Sequence, residues 1–206
     1  GRIPGSLLHN NGDGTFSDVT EESRLLSSRP SQSVRWFDYD GDGYLDVFVA
    51  NYLVYDEGKF RDFYAATGYP GPLSYNTESC ALYHNNGDGT FTDVTIETAT
   101  GGNDWSTSCV LADVNSDGHP DLYVVNYIAG SDVFDRICHD ADGVPRLCYP
   151  QEFMPAADRF YLNRGDGTFE DSSLISGVRD TTGRGLGIIA ADFEGRGKID
   201  LFVAND

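Results

Sequence analysis

One local pattern, repeated three times along the chain, constrains its fold more than any other feature. "DYDGDGYLD" at 38–46 sets aspartates at 38, 40 and 42, on alternate positions, and a fourth at 46, with two glycines threaded among them. "DVNSDGHPD" at 113–121 repeats it, and "DFEGRGKID" at 192–200 repeats it in altered form. Upstream of each lies a second shared stretch. "LLHNNGDGTFSDVT" at 7–20 matches "LYHNNGDGTFTDVT" at 82–95 and "FYLNRGDGTFEDSS" at 160–173. Downstream of each comes an apolar run: "VFVANY", "LYVVNY" and "LFVAND". Tandem self-similarity at such a period marks an array of like supersecondary units.

Local chemistry says what one unit is. "NGDG" and "RGDG" between apolar stretches read as hairpin turns, because Asn, Asp and Gly tolerate positive φ. "TFSDVT" and "TFTDVT" alternate aromatic or β-branched residues with polar ones, as a half-buried strand does. "SVRWFD", "SCVLAD" and "GIIAAD" lead into the acidic loops as strands, and the apolar runs lead out as strands. The expected fold is therefore all-β, with propeller-type blades of four antiparallel strands joined by acidic loops. The 206 residues form a single repeat domain with units at 1–52, 82–127 and 160–206 and insertions at 53–81 and 128–159. Three units are fewer than the four to eight blades of an ordinary closed propeller, so the ring is expected to be incomplete or completed by another chain.

Crowded aspartates repel one another unless a cation sits among them. A hard divalent ion accepts six to eight oxygen ligands, and a flexible loop of carboxylates and carbonyls favours calcium over magnesium. The first predicted site uses Asp38, Asp40, Asp42 and Asp46 with the carbonyl of Tyr44. The second uses Asp113, Asn115, Asp117 and Asp121 with the carbonyl of His119. The alternative, a pair of solvated acidic turns, does not account for the shared register and glycines. In the third loop, Asp192–Asp200, Glu194 replaces an aspartate and Arg196 stands where Asp42 does. Arg has no acceptor atom, so this loop is expected to be weak or empty, with Arg196 paired to Asp192 and Asp200.

"DYDGDGYLDVFVAN" and "DVNSDGHPDLYVVN", taken with "NNGDGTFTDVT", resemble the FG-GAP/VCBS repeats of integrin-α-like β-propellers, in particular the cartilage-acidic-protein and UnbV-like group. The resemblance covers the chain apart from the two insertions. It implies extracellular, calcium-stabilised blades that serve adhesion, assembly or ligand binding, and no particular chemistry. In such propellers a blade pairs an acidic-loop hairpin with the "NGDGTF" hairpin that follows it, which implies two complete blades here, 34–95 and 109–173, with one half-blade at each end. The half-blades are expected to be completed head-to-tail by another copy, as a closed ring or an open filament, or by further blades of a longer chain.

The formal charge of −19 opposes binding to nucleic acid or anionic membrane surfaces. With 39% hydrophobic residues the chain is not an acidic disordered tail, and bound cations are the expected reason for the excess charge. No apolar run reaches the roughly 20 residues of a membrane helix. The chain starts at Gly1 without a leader, as a processed product or a piece of something longer would. Cys80, Cys109, Cys138 and Cys148 lack zinc-type spacing and point to disulfides in an oxidising compartment. Cys138 pairs best with Cys148, which leaves Cys80 with Cys109; four free thiols is the other possibility.

No GxSxG, HExxH or P-loop is present, and no Asn-x-Ser/Thr acceptor occurs. His9 and His84 occupy one repeat position and read as structural. "GRGLG" at 183–187 lacks the ending of a phosphate loop, and "RGD" at 164–166 fills the repeated hairpin slot. The expectation is a non-enzymatic, extracellular or cell-surface structural module that self-associates or binds another protein or a glycan. The alternatives are an accessory propeller of a larger secreted enzyme or receptor, and catalysis by insertion residues around Tyr64–Tyr75 or Cys138–Cys148.

Overall fold

In the computed structural model, residues 5–25, 30–54, 76–129, 136–146, 148–178 and 182–206 are described. The acidic loops and the NGDG turns break the chain into short strands, and these associate almost wholly with sequence neighbours. β1 (Leu8–Asn10) and β2 (Phe16–Asp18) form a hairpin. A single helical turn, α1 (Thr20–Ser23), follows and closes at Arg24 in the left-handed region. The same turn recurs in the later repeats, where Thr98 N donates to Val94 O and Ser176 N to Ser172 O.

β3 (Ser31–Phe37), β4 (Asp46–Asn51), β5 (Ala81–Asn85) and β6 (Phe91–Asp93) make the first four-stranded sheet, in that order. The second repeats it with β7 (Ser106–Ala112), β8 (Asp121–Asn126), β13 (Arg159–Asn163) and β14 (Phe169–Asp171). Between them run the small strands of the second insertion. β9 (Ile128–Ala129) pairs with β12 (Met154–Pro155), and β10 (Cys138–His139) with β11 (Pro145–Arg146). β15 (Gly185–Ala191) and β16 (Asp200–Asn205) form a last, two-stranded hairpin. Two four-stranded antiparallel blades flanked by half-blades is the architecture expected from the repeats.

Register repeats as faithfully as sequence. Each strand entering an acidic loop is bulged near its start, at Ser31/Ser33, Ser106/Ser108 and Gly185/Gly187. A bulge adds local twist. β4 and β8 are buried along their full length, which is why their sequences are continuous apolar runs and not alternations.

Packing is face to face between successive sheets. Phe48, Ala50 and Leu82 of the first blade meet Leu122, Val124 and Tyr161 of the second. Full burial of side chains such as Phe48, Leu82 and Leu122 stabilises by about 1.5–3 kcal/mol each. The first blade's other face, Val47 and Val49 with Tyr83 and Phe91, is packed by Leu7 and Leu25. The second blade's other face, Tyr123 and Val125, is packed by Ile188 with Leu201 and Val203. A fourth cluster gathers Trp105, Ile128 and Phe153 around the insertion.

Cys138 and Cys148 form the expected disulfide, with an S–S distance of 2.02 Å, inside that fourth cluster. The companion pairing of Cys80 with Cys109 is not formed. Both are free thiols buried between the blades. Each satisfies its sulfur with a serine instead: Cys80 donates to Ser106 Oγ at 3.3 Å and Cys109 to Ser33 Oγ at 3.6 Å.

Candidate metal centre

The first acidic loop is wound on its leading aspartate. Asp38 Oδ1 accepts the backbone N–H groups of Gly41 and Asp42, and Oδ2 accepts that of Gly43. Gly41 and Gly43 sit at φ +77 and +89, where only glycine is unstrained. Asp42 Oδ1 takes the N–H of Tyr44. This winding brings one oxygen each of Asp38, Asp40 and Asp46 within 4.8 Å of the others.

Asp46 stands apart because it is fully buried. Its Oδ2 accepts Tyr39 N at 3.0 Å and its Oδ1 accepts Asn85 N at 2.8 Å. It therefore ties the loop to the end of β5. Burial pushes its carboxyl up, these hydrogen bonds oppose the rise, and the neighbouring Asp40 adds to it. Asp121 repeats the arrangement with Val114 N and Asn163 N, and burial likewise raises it.

The second loop keeps the winding on Asp113, whose oxygens accept Asp117 N and Gly118 N. Its carboxylates converge less: no group of three lies within the same 4.8 Å among the described residues. Asn115 donates its amide to Asp117 Oδ2 at 2.8 Å and accepts Asp117 N on Oδ1. The third loop is wound in the same way, with Asp192 accepting Arg196 N and Gly197 N, which hold its carboxyl below the usual range. The Arg196 guanidinium pairs with Glu194, not with Asp192 and Asp200 as expected. Asp192 is already saturated by backbone donors, and Glu194, two residues away, is exposed and within reach.

Three features were not foreseen. His84 is one: its Nδ1 lies 3.3 Å from Asp40 Oδ2 and 3.3 Å from Asp46 Oδ1, so the ring faces the first loop. Repeat position hid this, because the matching residue in the next unit is Leu162. The second is a ring contact. Tyr44 and His119 lay their rings over Gly87 and Gly165 of the turn that follows. The third concerns charge. Asp13, Asp88 and Asp166 each accept both the N–H and the hydroxyl of the threonine two residues on. Asp18, Asp93 and Asp171 do the same with Thr20, Thr95 and Ser173. Part of the acidic excess thus serves turns and needs no cation. It also explains "RGD": Asp166 is engaged by Thr168, and Arg164 pairs with Glu170 at 3.1 Å. The stretch Tyr64–Tyr75 lies outside the described residues.

Among the described residues no helix is long and apolar enough to cross a membrane. The chain is 26% identical over 202 residues to human cartilage acidic protein 1, covering 96% of this chain and 24% of that protein. It therefore spans about a quarter of that relative's length. The family model for the FG-GAP-like repeat matches residues 4–49, 59–124 and 140–203, one match for each repeated unit. The chain belongs to the FG-GAP-like repeat family.

Proposed function

We propose that this chain is a calcium-stabilised, non-enzymatic propeller-type module of an extracellular or cell-surface protein, with a structural or adhesive role. The observation that carries the reading is the first loop, where Asp38, Asp40 and Asp46 converge around a fully buried carboxylate. Charges so placed repel, and a hard cation with oxygen ligands relieves that. Asp38, Asp40, Asp42 and Asp46 with the carbonyl of Tyr44 would hold the first ion. Asp113, Asn115, Asp117 and Asp121 with the carbonyl of His119 would hold a second, weaker one. The ion's contribution is charge neutralisation and a fixed loop, not catalysis. Family membership and the Cys138–Cys148 disulfide support an extracellular setting.

The second reading, an accessory module of a larger secreted enzyme or receptor, is favoured by the short share of its relative that the chain spans. Calorimetric titration of the metal-free chain with calcium tests the first reading. Two sites of unequal affinity are expected. Absence of binding at millimolar calcium would refute it.

A further inference from the structure

The first two acidic loops lie in different blades, yet one buried side chain touches both. Asn163, at the end of β13 in the second blade, is 3% exposed. Its Nδ2 donates to the carbonyl of Tyr39, in the first loop, at 2.8 Å. The same amide donates to the carbonyl of Pro120, in the second loop, at 3.2 Å. The backbone N–H of Asn163 goes to Asp121 Oδ1, and its own Oδ1 accepts Gly165 N at 2.9 Å. Both ends of the side-chain amide are thus engaged.

Tyr39 carries the connection onward. Its N–H donates to Asp46 Oδ2 at 3.0 Å. Asp46, Tyr39, Asn163 and Asp121 therefore form one unbroken series of hydrogen bonds, and all four are buried. The series starts at the buried carboxylate of the first loop and ends at that of the second. Two ring contacts run beside it. The Tyr39 ring stacks on Phe169 of the second blade, with centroids 6.1 Å apart and planes at 25°. His119 of the second loop covers Gly165, the residue that Asn163 Oδ1 holds. The first blade supplies a comparison. Asn85 occupies the matching position in β5: its N–H goes to Asp46, its Nδ2 to the Leu45 carbonyl, and its Oδ1 accepts Gly87 N. Among the described residues these partners all lie in its own blade. What Asn163 has in addition is the bond to Tyr39 across the seam.

We propose that Asn163 couples these two loops, so that a divalent cation held in either one tightens cation binding in the other. This rests on the calcium reading of the loops. Buried hydrogen bonds in series polarise and order one another. Fixing Asp46 fixes the Tyr39 peptide, and with it the amide whose backbone N–H holds Asp121. Ordering done for one loop then serves the second, which is a source of positive cooperativity. The effect is reciprocal, with the same factor in both directions. Asn163 is a positioning residue that acts on the ions only through Tyr39 and Asp121.

The test is calcium titration of the whole chain, followed by NMR at the backbone N–H groups of Gly43 and Gly118. These bond Asp38 and Asp113, so each reports one loop. Asp42→Ala disables the first loop and Asp117→Ala the second. In the native background each should weaken the intact loop at least about fivefold, and by the same factor. In the Asn163→Ala background the same two changes should leave the intact loop's affinity unmoved, a loss of coupling that a merely structural role would not produce. Asn163→Asp keeps the size and the Gly165 bond but loses the donor to Tyr39. It should uncouple the loops likewise, and it decides the matter should the alanine variant not fold. Asn85→Ala should keep the coupling. Loops that fill independently in the native chain overturn the proposal and leave the calcium reading standing. So does coupling that survives the Asn163 variants. No response at either glycine at millimolar calcium overturns the calcium reading, and the coupling with it.

Discussion

The imidazole of His119 covers Gly165 so closely that a Cβ added to that glycine would lie 2.4 Å from Nε2. Tyr44 stands over Gly87 in the same way, at 2.8 Å. Each contact joins the acidic loop of a blade to the outer hairpin of the same blade, so the loop and the turn are shaped for one another.

Alanine at these glycines separates two costs. Gly165→Ala meets both a left-handed φ of +69 and the ring of His119. Gly12→Ala meets only its φ of +82, with open space around it. The strain alone costs roughly 1–2 kcal/mol, and at Gly87 and Gly165 the ring of Tyr44 or His119 must also turn aside to admit the methyl group. Urea denaturation should rank Gly165→Ala and Gly87→Ala as clearly more destabilising than Gly12→Ala. Equal losses at all three would remove the ring contact as a determinant of stability.

Calcium withdrawal should lower the melting temperature. A ligand at a hundred times its dissociation constant contributes about 2.7 kcal/mol to the folded state. For a chain of this size that corresponds to roughly 5–10 °C. Asp42→Ala should shrink the shift, whereas Arg196→Ala should leave it unchanged, because the third loop pairs its own charges. Differential scanning calorimetry with and without chelator reads all three.

The Asp–Thr turns give a pH dependence of known sign. The hydroxyl and N–H of Thr90 hold the Asp88 carboxyl below its ordinary value of 3.8, and Asp13 and Asp166 are held down likewise by Thr15 and Thr168. A carboxylate whose folded value is depressed stabilises the fold above its unfolded value and loses that contribution as pH falls through the folded value. The turns should therefore weaken only below about pH 3.8. Thr90→Val should move the Asp88 titration, followed by carboxyl-carbon NMR, back up towards 3.8. An unmoved titration would show that the hydroxyl is not the cause.

The cysteines divide into two behaviours. Burial pushes the Cys109 thiol up to about 11 and raises that of Cys80 as well. Neither should react with a thiol reagent at pH 8 in the folded protein, and both should react in denaturant. Reducing Cys138–Cys148, a short loop with a sequence separation of 10, should cost about 2–3 kcal/mol. Thiol counting before and after unfolding, beside melts in reductant, checks both.

Strands and loops were legible because their signals are local: glycines at positive φ, Asn and Asp in turns, and apolar runs bounded by both. The convergence of Asp38, Asp40 and Asp46 was legible for the same reason, since one nine-residue loop holds all three. What depends on distant register was not. His84 reaches Asp46 only because β5 lies beside β4, across an insertion of nearly thirty residues, and nothing near His84 announces that. The pairing expected for Cys80 and Cys109 failed because parity of count says nothing about sulfur geometry, and each thiol found a serine. Arg196 stands out in its loop by residue type alone, but its partner, Glu194, is set by how the loop's N–H groups fill Asp192.

Among the described residues, successive sheets pack against their neighbours, face against face, as beads on a string would. Such an array behaves almost as a one-dimensional system, in which free energy is a sum of unit terms and nearest-neighbour terms. A lesion at Phe48 loosens one seam and leaves the seam at Ile188 intact. Melting then proceeds seam by seam, each boundary with its own midpoint. The molecule is therefore best pictured as having several partial stabilities, one for each boundary between units.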